Sequence, residues 1–226
     1  MNQSVRRPLL VLGAGGLGRE TAQAALAVAA ARGSWRLLGH LDDDPTKANR
    51  LVDGVPVLGP ISAVADHPGV AVVVATGRPT DFDSRRRLVR SLALPADRYA
   101  TVVHPGAHLA DSVTVGVGCV LLAGVIATAA VRIGDHVAVM PQVVLTHDDD
   151  IGDFATLAAG VLVAGGVTVG AGAYLGAGSR IREGLVIGEG ALVGMGSVVT
   201  RDVPAGETWW GVPARPRNSR RAGVAS

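Results

Sequence analysis

From Leu109 onward every sixth residue is aliphatic, and this period constrains the fold more than any other feature of the chain. The series runs Leu109, Val115, Leu121, Ala127, Ile133, Val139, Leu145, Ile151 and Leu157, then Val163, Val169, Leu175, Ile181, Ile187, Val193 and Val199. Sixteen hexads stay in register, and their fifth positions are nearly always small or β-branched, as in Val113, Val137, Ala155, Ala173 and Ser197. A helix would space its apolar residues by three and four, and a simple half-buried strand would alternate, so the period fits neither. It fits a parallel β-helix. Positions five and one lie two residues apart across each hexad boundary and both point inward, while positions two to four make the turns. Glycine follows the aliphatic residue in Val115-Gly116, Ile133-Gly134, Ile151-Gly152, Val169-Gly170 and Ile187-Gly188, eighteen residues apart each time, so one coil is three hexads. At ~4.8 Å per rung the prism is roughly 25 Å long.

Before the repeats the pattern changes to strands and helices: strands at Pro8–Leu12, Arg36–Leu41 and Val70–Ala75, helices at about Gly18–Ala31 and Phe82–Ala93. The turn Gly13-Ala14-Gly15-Gly16-Leu17-Gly18 joins the first strand to the first helix. Free backbone N–H groups and the helix dipole favour an anion there. Asp42, Asp43 and Asp44 end the second strand, where an acid commonly meets a ribose or base, so the two features together read as nucleotide binding. About a hundred residues supply only one mononucleotide half, which disfavours redox use of NAD. The resulting division is a Rossmann-like nucleotide-binding domain over 1–103, a β-helix over 104–208 and a basic tail over 209–226.

Composition narrows the class. The hydrophobic fraction is 48% and mean hydropathy +0.36, yet no apolar run is long enough to span a bilayer. Met1–Arg7 followed by Leu9–Leu12 lacks a cleavage-site pattern, so the chain reads as cytoplasmic. One cysteine, Cys119, excludes an internal disulfide and reads as packing. A net charge of +2 with three Trp, two Tyr and two Phe supplies neither the field nor the stacking platforms of a nucleic-acid binder. Arg85, Arg86 and Arg87 read as a solvated helix face.

Six histidines are candidates for chemistry: His40, His67, His104, His108, His136 and His147. Within the repeats His136 and His147 occupy turns, where a solvated histidine is the ordinary reading. His147 is set apart because it opens His147-Asp148-Asp149-Asp150, with Asp149 at an inward fifth position that every other hexad leaves uncharged. A carboxylate on Nδ1 would fix the tautomer that leaves Nε2 free as a base. Gly165 lies one coil later, about 5 Å away on the next rung, with a bare N–H able to steady an oxyanion.

The glycine-rich turn, Leu41-Asp42-Asp43, His104-Pro105, the hexads, His147-Asp148 and a closing Gly211-Val212-Pro213-Ala214 resemble, over residues 8 to 215, the sialic acid O-acetyltransferase family. That family includes the nucleotide-amino-sugar N-acetyltransferases of bacillosamine and perosamine synthesis. The resemblance implies a left-handed β-helix, a homotrimer, and acyl-CoA, most simply acetyl-CoA, in the groove between prisms, with no metal. It implies His147 as general base, Asp148 as its partner and Gly165 as the amide facing the thioester. Thr156, Ala177 and Met195 fall at CoA-contacting positions. Gly13, Gly15, Gly16, Leu17, Asp42, Asp43, Gly77, Met140 and Asp149 fall on the acceptor side, where a nucleotide-sugar would sit. Four positions depart from the family pattern: Leu17 stands for a histidine, Met140 for an asparagine, Asp149 for a cysteine and Thr156 for a histidine. Asp149 would either hold an acceptor ammonium or tighten on His147.

Direct acyl transfer to an amine or hydroxyl follows. The alternatives are transfer to a non-sugar acceptor, a trimeric nucleotide-binding scaffold without catalysis, a zinc enzyme on the same fold, and an NAD enzyme. The zinc enzyme would need a histidine pair five apart, which the sequence lacks.

Overall fold

A computed structural model describes residues 6–78 and 80–217. The readings made on Met1–Val5 and on the basic tail from Asn218 onward lie outside the described residues.

The first hundred residues form an α/β layer structure. Its sheet has the order β3-β4-β2-β1-β5, with β1 at Arg7–Leu12, β2 at Trp35–Leu41, β3 at Leu51–Val52, β4 at Val55–Gly59 and β5 at Ala71–Val74. β1 pairs in parallel with both β2 and β5. Its side chains alternate between two cores: Leu9 and Val11 meet helix α1 (Gly16–Arg32), and Leu10 and Leu12 meet helix α2 (Ser84–Leu92). Both helices lie within two residues of their expected ends. The antiparallel pair β3–β4 was not anticipated, although its Asp53-Gly54 turn, both residues at positive φ, is a hairpin signal.

The second region is a three-sided parallel β-helix. Strands of mostly two residues pair with those eighteen positions on, as in Leu145↔Val163, Ile151↔Val169 and Leu157↔Leu175. Three faces result, named here for Leu145, Ile151 and Leu157, and the position-one and position-five side chains fill one continuous apolar bore. The coil starts before the hexads, because β6 (Val102–Val103) already pairs with Val120–Leu121. It also runs past them. Thr208–Gly211 pairs with Leu192–Val193, Ala214–Pro216 folds back on it, and Trp209 is buried in the bore, so 208–216 caps the prism rather than forming a tail.

Two backbone rules explain the sequence pattern. At position four of successive hexads the chain takes positive φ, from Gly118 and Gly124 through Ala130, His136, Gln142, Asp148 and Phe154 to Gly196, so glycine is favoured there. The eighteen-residue glycine column has a different cause. A Cβ on Gly152 would meet Ala171 N at 2.6 Å, and one on Gly170 or Gly188 would strike the backbone of the next rung.

The two regions pack through the Leu157 face. Val120, Leu122 and Ala138 share an apolar cluster with Leu17, Ala24, Ala25 and Val28 of α1. Helix α2 lies over the edge between the Ile151 and Leu157 faces. Here the solvated-face reading of Arg85, Arg86 and Arg87 is corrected: Arg85 is 1% exposed and Arg86 largely covered, and only Arg87 stands in solvent. His136 is corrected likewise. It is buried, stacked on Phe154 with ring centroids 5.0 Å apart and edge-on to Tyr99. Among the described residues no helix is long and apolar enough to cross a membrane.

Candidate active site

The strand Val144–His147 carries His147 to the edge between the Leu145 and Ile151 faces. Its side chain and that of Asp148 are both about two-thirds exposed, and Nδ1 lies 2.8 Å from Asp148 Oδ2. An ionised carboxylate only accepts, so in the neutral ring Nδ1 carries the proton and Nε2, which lies against Gly165, keeps its lone pair. Asp148 reaches back because its backbone is left-handed (φ 59), a conformation aspartate tolerates better than most residues. Gly165 is stacked directly on the ring: a Cβ there would overlap Nε2 and Cε1 of His147. The neighbouring Gly166 N–H donates to His147 O at 2.8 Å, and among the described residues the Gly165 N–H has no acceptor. An imidazole base and a free amide donor therefore share one small surface.

Asp149 serves neither purpose expected of it. It is 1% exposed, inside the bore, and accepts N–H bonds from Thr146 and Val167, each at 3.0 Å. Burial pushes its carboxyl up to about 6, with the two N–H donors and the nearby His147 opposing the rise. A ligand ammonium cannot reach it. Thr156 is also withdrawn from the CoA side. It is buried beneath the first region, with Oγ1 accepting from Arg85 at 2.9 Å. Ala177 and the exposed Met195 stack one coil apart on the edge between the Leu157 and Leu145 faces, in the column begun by Ala123 and Pro141. Cys119 is buried, and burial pushes its thiol up to about 12, which suits packing and not nucleophilic chemistry.

The glycine turn opens a cleft of about 320 Å³ lined by Gly13, Gly15, Gly16, Leu17, Asp42 and Gly77, all six of which the sequence had singled out. Lys47, Ala75, Thr76, Arg78, Asp81 and Ser84 complete it and had not been named as site residues. The turn is held from below. Asp42 accepts Ala14 N–H at 2.6 Å, and buried His40 lies 3.0 Å from Gly13 O through Nδ1. A carbonyl only accepts, so Nδ1 is protonated, and burial lowers the basicity of the ring. Burial also acts to raise Asp42, but the Ala14 and Asp44 N–H groups and Lys47 outweigh it and hold the carboxyl below its usual range. Asp43 faces elsewhere and accepts Ile61 N–H at 2.8 Å, so it is a turn-former and no part of the cleft. The first turn of α1 contains no acid, which leaves its N–H groups available to an anion, whereas Lys47 in the cleft wall is paired with Asp42 at 3.2 Å and Asp44 at 3.5 Å.

A second cleft, about 430 Å³, shares Gly16 with the first and runs between α1 and the edge column, past Arg19, Glu20, Asp53, His104, Ala123 and Pro141. Met140, next in sequence to Pro141, packs on the same apolar cluster as Leu17. Both departures from the family pattern thus put an apolar side chain into the packing between α1 and the β-helix.

Residues 8–92 match the family described as the PglD N-terminal domain, and residues 166–201 match the bacterial transferase hexapeptide repeats. A single-residue variant of perosamine N-acetyltransferase from Caulobacter crescentus, solved with CoA and GDP-perosamine, superposes with a TM-score of 0.82. It is 32% identical over 94% of this chain and 97% of that one. The chain belongs to the hexapeptide-repeat sugar acyltransferases. The acetyltransferase domain of PglB from Neisseria gonorrhoeae FA1090, solved with acetyl coenzyme A, is 28% identical over 94% of this acyltransferase and all of that domain, with a TM-score of 0.82. WeeI from Acinetobacter baumannii AYE is 27% identical over 93% of this chain and 100% of its own, with a TM-score of 0.78. None of the three is named as a sialic acid O-acetyltransferase. No curated protein sequence matches this acyltransferase significantly.

Proposed function

We propose that this acyltransferase moves the acetyl group of acetyl-CoA onto the amino group of a nucleotide-linked sugar. The observation that carries the reading is the pairing of His147 with Asp148 on one rung and the unpartnered Gly165 N–H on the next. The likeness to a chain solved with CoA and GDP-perosamine supports the substrate class.

In this reading neutral His147 accepts the proton of the neutral acceptor amine through Nε2 as the nitrogen attacks the thioester carbonyl. The Gly165 N–H donates to the oxyanion. The C–N bond forms, the C–S bond breaks, and the imidazolium returns its proton to the departing thiolate. Asp148 accepts from Nδ1–H throughout and steadies the transient positive charge. The nucleotide diphosphate binds at the glycine turn, with the first turn of α1 on its phosphates. The sugar extends past Gly16 into the second cleft, towards the edge where Ala177 and Met195 meet CoA.

His147 stands on the edge opposite the Leu157 face that carries the acceptor region, so one chain cannot present its own acceptor to its own base. We therefore read the enzyme as a homotrimer of left-handed prisms working in the cytoplasm, with residues 1–103 as acceptor domain and 104–208 as acyltransferase domain. Outward residues of the Leu145 face support this: Ile126, Val144 and Leu162 stack on three successive coils, and Ile126 and Leu162 are each 39% exposed. An apolar stripe of this kind suits burial against a second copy.

The test is incubation of the protein with acetyl-CoA and UDP-, GDP- and dTDP-linked amino sugars, with products identified by mass spectrometry. A hydroxylamine-stable acetylated nucleotide sugar is expected. A hydroxylamine-labile product would mean ester formation, and acetylation of simple amines alone would overturn the nucleotide-sugar assignment.

A further inference from the structure

Arg85 is the only buried residue of α2. Among the described residues no carboxylate bonds it, and its guanidinium is spent on neutral acceptors from two regions. Nη1 donates to Thr76 O at 3.0 Å, in the loop that follows β5 and lines the glycine cleft. Nε donates to His136 O at 2.7 Å, and Nη2 to Phe154 O, Ala155 O and Thr156 Oγ1 at 2.9, 3.0 and 2.9 Å. Those last four acceptors sit on two successive coils. Gly77, also in the cleft wall, comes close enough that a Cβ there would lie 3.4 Å from Nη1.

Removing a guanidinium from water without an anionic partner is costly, and burial lowers Arg85 to about 10, which still leaves it charged at neutral pH. Such an arrangement is retained in a core only where several carbonyls are oriented towards one planar fork. Lysine, with its donors at a single point, could not span acceptors on both regions. Two flanking contacts keep α2 in place independently of Arg85: Phe82 against Tyr174, ring centroids 5.8 Å apart, and Arg86 with Glu189 at 3.2 Å. They hold the helix but touch no carbonyl of the cleft loop.

We propose that Arg85 is a positioning residue that fixes the acceptor loop Ala75–Arg78 in register with two coils of the β-helix, and so sets where the acceptor is presented. The catalytic part of this statement rests on the acetyl-transfer reading; the positional part does not.

Hydrogen–deuterium exchange of the full-length protein, wild type, Arg85→Gln and Thr156→Val, separates the two. Arg85→Gln should speed exchange in peptides covering 75–84 about tenfold while the coils stay protected, and Thr156→Val, which deletes one acceptor at nearly constant volume, should do so to a smaller degree. Steady-state kinetics with GDP-perosamine should then show acceptor kcat/KM falling about 10²-fold for Arg85→Gln with the acetyl-CoA KM within about twofold of wild type. Lysine at this position should not rescue. Unchanged exchange at 75–84 in both variants, or a rise spread evenly over the coils, would overturn the proposal. If the wild type acetylates no nucleotide amino sugar, the acetyl-transfer reading fails, and the exchange data still decide the role of Arg85.

Discussion

At the residue scale the site depends on small distances around one imidazole. Gly165→Ala places a methyl group where the His147 ring now lies. The ring is exposed and can swing aside, so we expect a stable protein whose kcat is reduced about 10²-fold or more, checked by turnover alongside a melting curve. Asp149 makes a prediction about pH. Its folded carboxyl, at about 6, lies above the ordinary 3.8, so the protonated form is favoured by folding. The associated stability is fully present below pH 3.8, and it is lost as pH rises through about 6. Asp149→Asn removes the titration. Its Tm relative to wild type should therefore climb between pH 4 and 7, by an amount worth at most about 3 kcal/mol, with the one acceptor it gives up lowering the curve equally at every pH. A Tm difference that stays flat across that range would contradict the ionisable, buried assignment. The neighbourhood of His147 and Gly165 was legible in sequence because hexad register places residues eighteen apart side by side, whereas Asp148 as the partner of Nδ1 came from the family resemblance. Thr156 and Asp149 were misplaced for a physical reason: linear spacing shows that a side chain points out or in, but not what covers the outward face or how an inward charge is satisfied.

At the scale of elements, the period of six and the glycine column made the β-helix readable almost coil by coil, since each glycine marks a side-chain position that the next rung's backbone occupies. Leu157, fully buried in the bore, is an ordinary test of that core. Leu157→Ala should cost about 2–5 kcal/mol in denaturant unfolding. Helix α2 shows what periodicity could not reveal. Three consecutive arginines have the composition of a solvated helix, and only the coils beneath Arg85 turn it into a buried anchor. His136 and Phe154 belong to the same lesson, because they hold left-handed positions where glycine would be easier, and their rings fill the space under the docked region. The β3–β4 hairpin was missed although its Asp-Gly turn was in view, since β3, at two residues, is too short to show an alternation and is not repeated elsewhere.

At the scale of the whole molecule, the glycine-turn clefts and His147 face different sides of one prism, so in the proposed function transfer takes place between copies of the chain. If the proposed trimer forms through the apolar stripe of the Leu145 face, Leu162→Glu should shift the protein from trimer to monomer in light scattering and abolish transfer, while the melting curve of the monomer keeps a cooperative transition. A trimer that survives this substitution would move the interface elsewhere. The central claim is His147-driven acetyl transfer to a nucleotide amino sugar, and its most direct test is a mass-spectrometric time course with acetyl-CoA and GDP-perosamine for wild type and His147→Ala at matched oligomeric state. The account predicts an acetylated nucleotide sugar from the wild type and a kcat lower by about 10²- to 10⁴-fold for the variant. Near-wild-type turnover by His147→Ala would contradict it.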